Sequence, residues 1–286
     1  MRALLFYVAA LGCQRAPLGS PQTAATTDTA SLSDDFSKPE TLKRWKRIHE
    51  TEKSGADQVE RCEISNGELL LMPYTSTWYM DYRGTLLYQD VTGDFAMTTS
   101  VRVTGRDGRS APRSSYSLGG MMIRTPRADT YDNWSPGQEN YCFFSLGSAD
   151  KPGQFQYEIK TTQNSRSELE KYDSPNGQGI IQIARIGPDV ILLLKYNGSW
   201  RVVKRYHRPD MPKVLQAGLT VYTDYNSASK FGVREHNTTQ ISQGSPDLIA
   251  RYDYVKYGFP KVPPGFSAET ASDAELTSVL GDAVSK

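Results

Sequence analysis

The chain has 286 residues, with 33 Lys and Arg against 32 Asp and Glu for a net charge of +1. That balance excludes the basic footprint of a dedicated nucleic-acid binder, so no nucleic-acid partner is expected. The length suits one large domain or two small ones, and aromatics at 10%, with 17 tyrosines, suit strands and surfaces that stack on flat ligands.

The opening, MRALLFYVAALGC (residues 1–13), has one arginine, a short apolar stretch and then Ala10-Leu11-Gly12-Cys13. The apolar run is too short to span a bilayer as a helix, so a secretory signal is expected. Its end resembles a bacterial lipoprotein signal, in which Cys13 is lipidated and anchors the protein to a membrane. Ala10 stands where leucine is more usual, and an ordinary cleaved signal is the alternative. Both readings export the protein, as an envelope lipoprotein or a secreted one. Residues 14–31 are rich in Ala, Thr, Ser and Pro and read as a disordered tether. Cys62 and Cys142 remain, as one disulfide or two free thiols, and neither has the spacing of a zinc site.

From residue 32 the texture is all-β. Strands are expected at GELLLMPY, GTLLYQDV, DFAMTTSVRV, GGMMIR, NYCFFSLG, QFQYEIKT, GIIQIARIG, DVILLLKY, RVVKRYH and LQAGLTVYTDY. Gly187-Pro188-Asp189 and Asn197-Gly198-Ser199 are tight-turn chemistry between such runs. Sequential strands joined by short turns imply antiparallel sheets, and this many imply a sandwich over residues 32–257. Residues 258–286 form a separate tail. Its prolines end the strand pattern, and it is read either as disordered or loosely docked, or as carrying a short helix capped by Ser272 with Glu275 three residues on.

Four stretches now resemble a known family: DDFSKPETLKRWKRI near the start, then GDFAMTTSVRV, LGGMMIR and LQAGLTVYTD. They are similar to the concanavalin A-like lectin/glucanase superfamily, and most of all to the sandwich domains appended to bacterial β-xylosidases and to small secreted proteins of unknown function. The resemblance implies a jelly-roll sandwich with a concave sheet face that commonly holds a glycan. Its motifs are short and structural, so they speak for fold more than for activity. The wider family also suggests structural calcium, but the acids here (Asp90, Asp94, Asp132 and Asp224) are scattered rather than set in one loop. No other cofactor is signalled.

Alternation sorts the faces. Met121, Ile123, Phe155, Tyr157, Ile159, Leu219 and Val221 make apolar sets for the core. Arg124, Glu158, Lys160 and Tyr222 then point from the outer, concave face, where they meet either a glycan or solvent and ion-pair partners. The long connection TPRADTYDNWSPGQE brings Tyr131, Trp134 and Glu139, with Tyr141 at the start of the next strand. A second cluster, YTSTWYMDYRG, brings Trp78. Aromatic rings suit the C–H face of a sugar, and carboxylates, amides and arginine suit its hydroxyls. The alternative for Trp134 is a plug over the sandwich rim, and for Trp78 a packed strand edge. Trp45 and Trp200 are assigned to the core, and His49, His207 and His236 to the surface or to strands.

Retaining glycosidases need two carboxylates close together, and the Glu-x-Asp-type strand of the family's glucanases is absent. An acid-base pair remains conceivable between Glu139 and Glu158. A uronate lyase would need a cation for the substrate carboxylate and a group to move the proton, for which Arg124, Lys160, Tyr222 and His207 are candidates. The expected function is therefore carbohydrate binding on the concave face by an exported, lipid-anchored protein. The alternatives are a polysaccharide lyase or glycoside hydrolase on that face, and a structural envelope protein.

Overall fold

The computed structural model describes residues 29–53, 56–130 and 132–284. Cys13, the signal and nearly all of the tether lie outside them, as does Tyr131. The chain runs α1 (Thr29–Leu32), a 3-10 segment (Pro39–Arg44), β1 (Lys46–Arg47), α2 (Ile48–Thr51), β2 (Val59–Ser65), β3 (Glu68–Pro73), β4 (Thr85–Thr92) and β5 (Phe95–Thr104). Next come β6 (Ser117–Arg124), β7 (Tyr141–Ser148), β8 (Gln156–Gln163), β9 (Arg166–Asp173), β10 (Gln178–Ile186), β11 (Asp189–Tyr196), β12 (Ser199–His207) and β13 (Val214–Tyr222). Two short helices, α3 (Tyr225–Ala228) and α4 (Val233–Thr238), precede β14 (Ile249–Gly258), and α5 (Asp273–Val279) lies in the tail.

The strands form two seven-stranded antiparallel sheets, ordered β1-β4-β13-β6-β7-β8-β9 and β12-β11-β10-β5-β14-β3-β2. The expected all-β jelly-roll sandwich is the fold. The turns follow local chemistry: Asn66-Gly67 joins β2 to β3 and Asn197-Gly198 joins β11 to β12, with all four residues at positive φ, as a two-residue hairpin twisting with its strands requires.

The core lies between the sheets and contains the residues that alternation assigned to it except Phe155, which precedes β8 and is half-buried. Met121, Ile123, Tyr157, Ile159, Leu219 and Val221 pack there with Phe95, Phe144 and Ile183. Trp45 joins them, its Nε1 donating to Asp34 at 3.0 Å. Trp200 does not. It is half-buried on the opposite face of the second sheet, where its Nε1 donates to Asp282 at 3.0 Å and its ring lies against Gly281.

That outer face of the second sheet is covered by the chain's own tail. Ala268, Leu276, Leu280 and Val284 pack on Ala96, Ala184, Ile191 and Leu193. α5 starts at a capping box, with Ser272 Oγ accepting from Glu275 N and the Glu275 carboxylate accepting from Ser272 N. Two anchors beside it, Lys195 with Asp282 and Arg205 with Asp273, tie the tail to β11 and β12. The tail docks because β10 and β11 carry apolar residues on both faces, and the outer set needs cover.

Candidate functional site

The first sheet does turn Arg124, Glu158, Lys160 and Tyr222 to its outer face, but that face is not open. Arg124, Glu158 and Tyr222 have 0% exposure and Lys160 has 2%. The cover is the segment Tyr74–Gly84. Trp78, itself 0% exposed, packs with Tyr141, Phe143, Tyr222, Met122 and Leu118 in a second apolar cluster. Its Nε1 donates to Thr85 O at 3.2 Å, and its ring sits so close to Gly84 that a Cβ there would lie 2.8 Å from it. Trp78 is thus a plug over the concave face rather than a platform for a sugar.

Under this plug Lys160 Nζ sits 2.8 Å from Glu158 Oε1, donates to Trp78 O at 2.8 Å and lies 4.4 Å from the Phe143 ring centre. Burial lowers the pKa of the ammonium and Glu158 opposes this only in part. Burial, reinforced by the charge of Glu158, raises the Tyr222 hydroxyl well above the usual phenol range, so it stays protonated.

Arg124 answers to a different set of partners. Arg83, Arg124 and Arg127 interleave with Glu52, Glu139 and Asp129, three cations against three anions. Glu139 accepts from Arg83 Nε at 2.7 Å, Arg124 Nε at 2.8 Å, Arg124 Nη2 at 2.9 Å and Arg127 Nη1 at 3.0 Å. Arg124 also donates to Glu52 and to Gln216 at 2.8 Å. Burial pushes the Glu139 carboxyl up, but the charge of Arg124 and its hydrogen bonds, with Arg83 and Arg127, hold it down at about 2. Trp134 closes this knot, with the Arg83 guanidinium 5.9 Å from its ring centre. The arginine that ends β6 and the tryptophan of the following connection therefore serve one buried ionic cluster. Glu139 and Glu158 fall in different clusters, each held by cations.

The plug is fastened by a histidine that sequence reasoning placed at the surface or in a strand. His236 lies on α4 and is buried. Its Nε2 accepts from Thr77 N at 3.1 Å, so Nδ1 carries the proton and donates to Asn237 Oδ1 at 2.9 Å. Asn237 in turn accepts from Arg83 N and donates to Asp81 O, both at 2.9 Å. Burial, opposed only by the bond to Asn237, takes His236 down to about 4. No strand pattern reveals this, because the partners are about 160 residues apart in sequence.

An open site exists elsewhere. Between the edge strands β9 and β12 the two sheets part in a cleft of about 740 Å³, lined by Thr161, Gln163, Asn164, Arg166, Glu168, Tyr206, His207, Arg208 and Gly137. The register of β8 against β9 puts Arg166 and Glu168 on the same face as Gln163 and Thr161, the face that farther inward is core. At the floor Arg208 is engaged by Asp210 at 2.9 and 2.7 Å and by Thr161 Oγ1 at 2.7 Å. His207 is half-exposed, with Nδ1 2.8 Å from Asp189. Apart from His207 these residues were not assigned to a site from the sequence, although R-x-E-x-E at period two in RSELEKYD was a readable edge-strand signal.

The scattered acids do not converge. Asp90 pairs with Lys46, Asp94 accepts from Gly187 N, and Asp224 accepts from Ser227 N as the cap of α3. Among the described residues no group of three His, Cys, Asp or Glu is placed to hold a metal ion. Cys62 and Cys142 are free thiols.

No family model matches the chain, and no curated protein matches it by sequence. Solved structures do. A functionally unknown protein from Saccharomyces cerevisiae aligns with TM-score 0.52 and 11% identity, over 77% of this chain and 99% of that one. Xyloglucan PUL GH43B of Bacteroides ovatus aligns with TM-score 0.51 and 12% identity, over 80% of this chain and 39% of its own. A xylan β-1,4-xylosidase from Bacillus halodurans aligns with TM-score 0.50 and 12% identity, over 84% and 40%. The chain thus spans about two fifths of the last two proteins, and likeness at such identity speaks for fold alone. Two seven-stranded antiparallel sheets and these alignments together show a jelly-roll β-sandwich, the fold that the resemblance to the concanavalin A-like lectin/glucanase superfamily implied.

Proposed function

We propose that this is an exported carbohydrate-binding protein, held at the cell envelope by a lipid on Cys13, and that its glycan lies in the cleft between β9 and β12 rather than on the concave face. The observation that carries the reading is the lining of that cleft. The ring of Tyr206, the amides of Gln163 and Asn164, the hydroxyl of Thr161 and the charged ends of Arg166 and Glu168 surround about 740 Å³ of open space. A pyranose needs that mixture: an apolar surface for its C–H face and in-plane donors and acceptors for its hydroxyls. Binding is favoured over cleavage because the acids weighed for catalysis, Glu139 and Glu158, are buried and held by cations. The lipid anchor is supported by the order Ala10-Leu11-Gly12-Cys13.

The test is affinity electrophoresis against a polysaccharide panel that includes xylan and xyloglucan, with soluble products sized in parallel. Retardation by one intact polymer, lost in Tyr206→Ala and kept in Trp134→Ala, is the expected result. Shortened or newly unsaturated fragments would replace binding with catalysis. Indifference to every polymer would leave a structural envelope role.

A further inference from the structure

We infer that the glycan taken by this cleft is an acidic one, carrying the carboxylates of uronic acid units; the inference rests on the carbohydrate reading above. Among the lining residues Arg166, His207 and Arg208 are basic, and Glu168 is acidic. The basic groups differ in what they can still offer. Arg208 is already neutralised by Asp210 and fixed to Thr161, so it shapes the floor.

Arg166 is different. Arg44, Arg47, Arg61, Arg102, Arg106 and Arg205 each pair with a carboxylate of the chain. Arg166 carries no ion pair among the described residues, as Arg109, Arg113 and Arg201 also do not, but of these Arg166 is the one that lines the cleft. A guanidinium without a partner keeps its fork of donors for a ligand, and a carboxylate is the group whose two oxygens match that fork.

His207 faces the same space from the strand that bounds the other sheet. Its Nδ1 is engaged by Asp189, which leaves Nε2 for a ligand. The hydrogen bond to Asp189 raises its pKa, and Glu269 of the tail adds in the same sense, so over a wider pH range Nε2 carries a proton to donate. A ligand between β9 and β12 is therefore met by a basic side chain from each wall. Glu168, two residues along β9 on the same face, stands about 7 Å from Arg166 at strand spacing. It is placed to accept from hydroxyls beside the acid group.

The experiment uses the full chain and two forms of one polymer, polygalacturonate and its fully methyl-esterified derivative, in affinity electrophoresis. The acid form retards the protein and the ester does not. Arg166→Gln weakens retardation by about tenfold or more, the loss of a charge-assisted bidentate contact, with unchanged thermal melting. Arg109→Gln, in the exposed turn between β5 and β6, binds as the parent does. If Arg166→Gln does not fold, His207→Gln takes its place with the same expectation. Equal retardation by acid and ester, or by neutral polymers alone, overturns the acidic class and leaves the carbohydrate reading standing. Equal losses in the Arg166 and Arg109 variants mean diffuse charge attraction and also overturn the inference. No retardation by any polymer, charged or neutral, defeats both readings.

Discussion

Replacing Glu139 by Gln tests the buried ionic knot most directly. The glutamine keeps the shape and one acceptor oxygen but removes the charge that balances three guanidiniums. Four hydrogen bonds converge on this carboxylate, from Arg83, Arg124 and Arg127, at 2.7 to 3.0 Å. Its pKa falls from 4.5 to about 2 in the folded chain. At about 1.4 kcal/mol per unit this is about 3 kcal/mol of stability near neutrality. That magnitude agrees with the roughly 3–5 kcal/mol expected when one partner of a buried ion pair is removed. Because the folded pKa lies below the unfolded one, the contribution is present in full above pH 4.5 and is lost as pH falls towards 2. Denaturant unfolding at pH 7 should therefore show Glu139→Gln destabilised by about 3 kcal/mol, and only the parent should lose that increment on acidification. A variant within about 1 kcal/mol of the parent at pH 7 would refute the view that this cluster is a strongly coupled buried unit.

Further consequences can be measured separately. His236, neutral and held down to about 4 against an ordinary 6.5, should withdraw about 3 kcal/mol of stability as pH falls from 6.5 to 4, because only the unfolded chain takes up the proton there. Unfolding midpoints at several pH values should show that slope in the parent and not in His236→Gln; equal slopes would mean the imidazole is not confined as described. Trp78→Ala should cost about 3–5 kcal/mol by emptying the plug over the concave face, and a thermal melt indistinguishable from the parent would contradict its role. Deleting residues 259–286 should bare Ala184, Ile191 and Leu193. Loss of a few kcal/mol, with uptake of an apolar dye, follows from removing Leu276, Leu280 and Val284; a monomeric, dye-silent truncation with unchanged stability would show that the tail only rests there.

The amino-acid sequence by itself determined the fold class, because the inputs to it are local. Side chains alternate along a strand, so Met121 and Ile123 separate from Met122 and Arg124 without knowledge of any partner strand. Asn66-Gly67 and Asn197-Gly198 carry their own turn geometry. Some strands escaped that reading for physical reasons. β14 crosses the middle of the second sheet, but a register shift between Tyr252 and Tyr254 interrupts its alternation. β9 is an edge strand whose alternation is carried by charged rather than apolar residues, so a search for apolar runs passes over it.

What only the tertiary structure decided is which polar face meets solvent. Alternation put Arg124, Glu158, Lys160 and Tyr222 on the outer side of the first sheet, and there they are. Whether that side is a groove depends on Trp78, held over it through contacts to His236 and Asn237 more than 150 residues away. The charge of Arg124 is likewise answered by Glu52, 72 residues before it. The cleft between β9 and β12 exists only because two strands distant in sequence end as facing edges of different sheets. Local pattern sets the direction of a side chain; burial and pairing depend on what the rest of the chain lays across it.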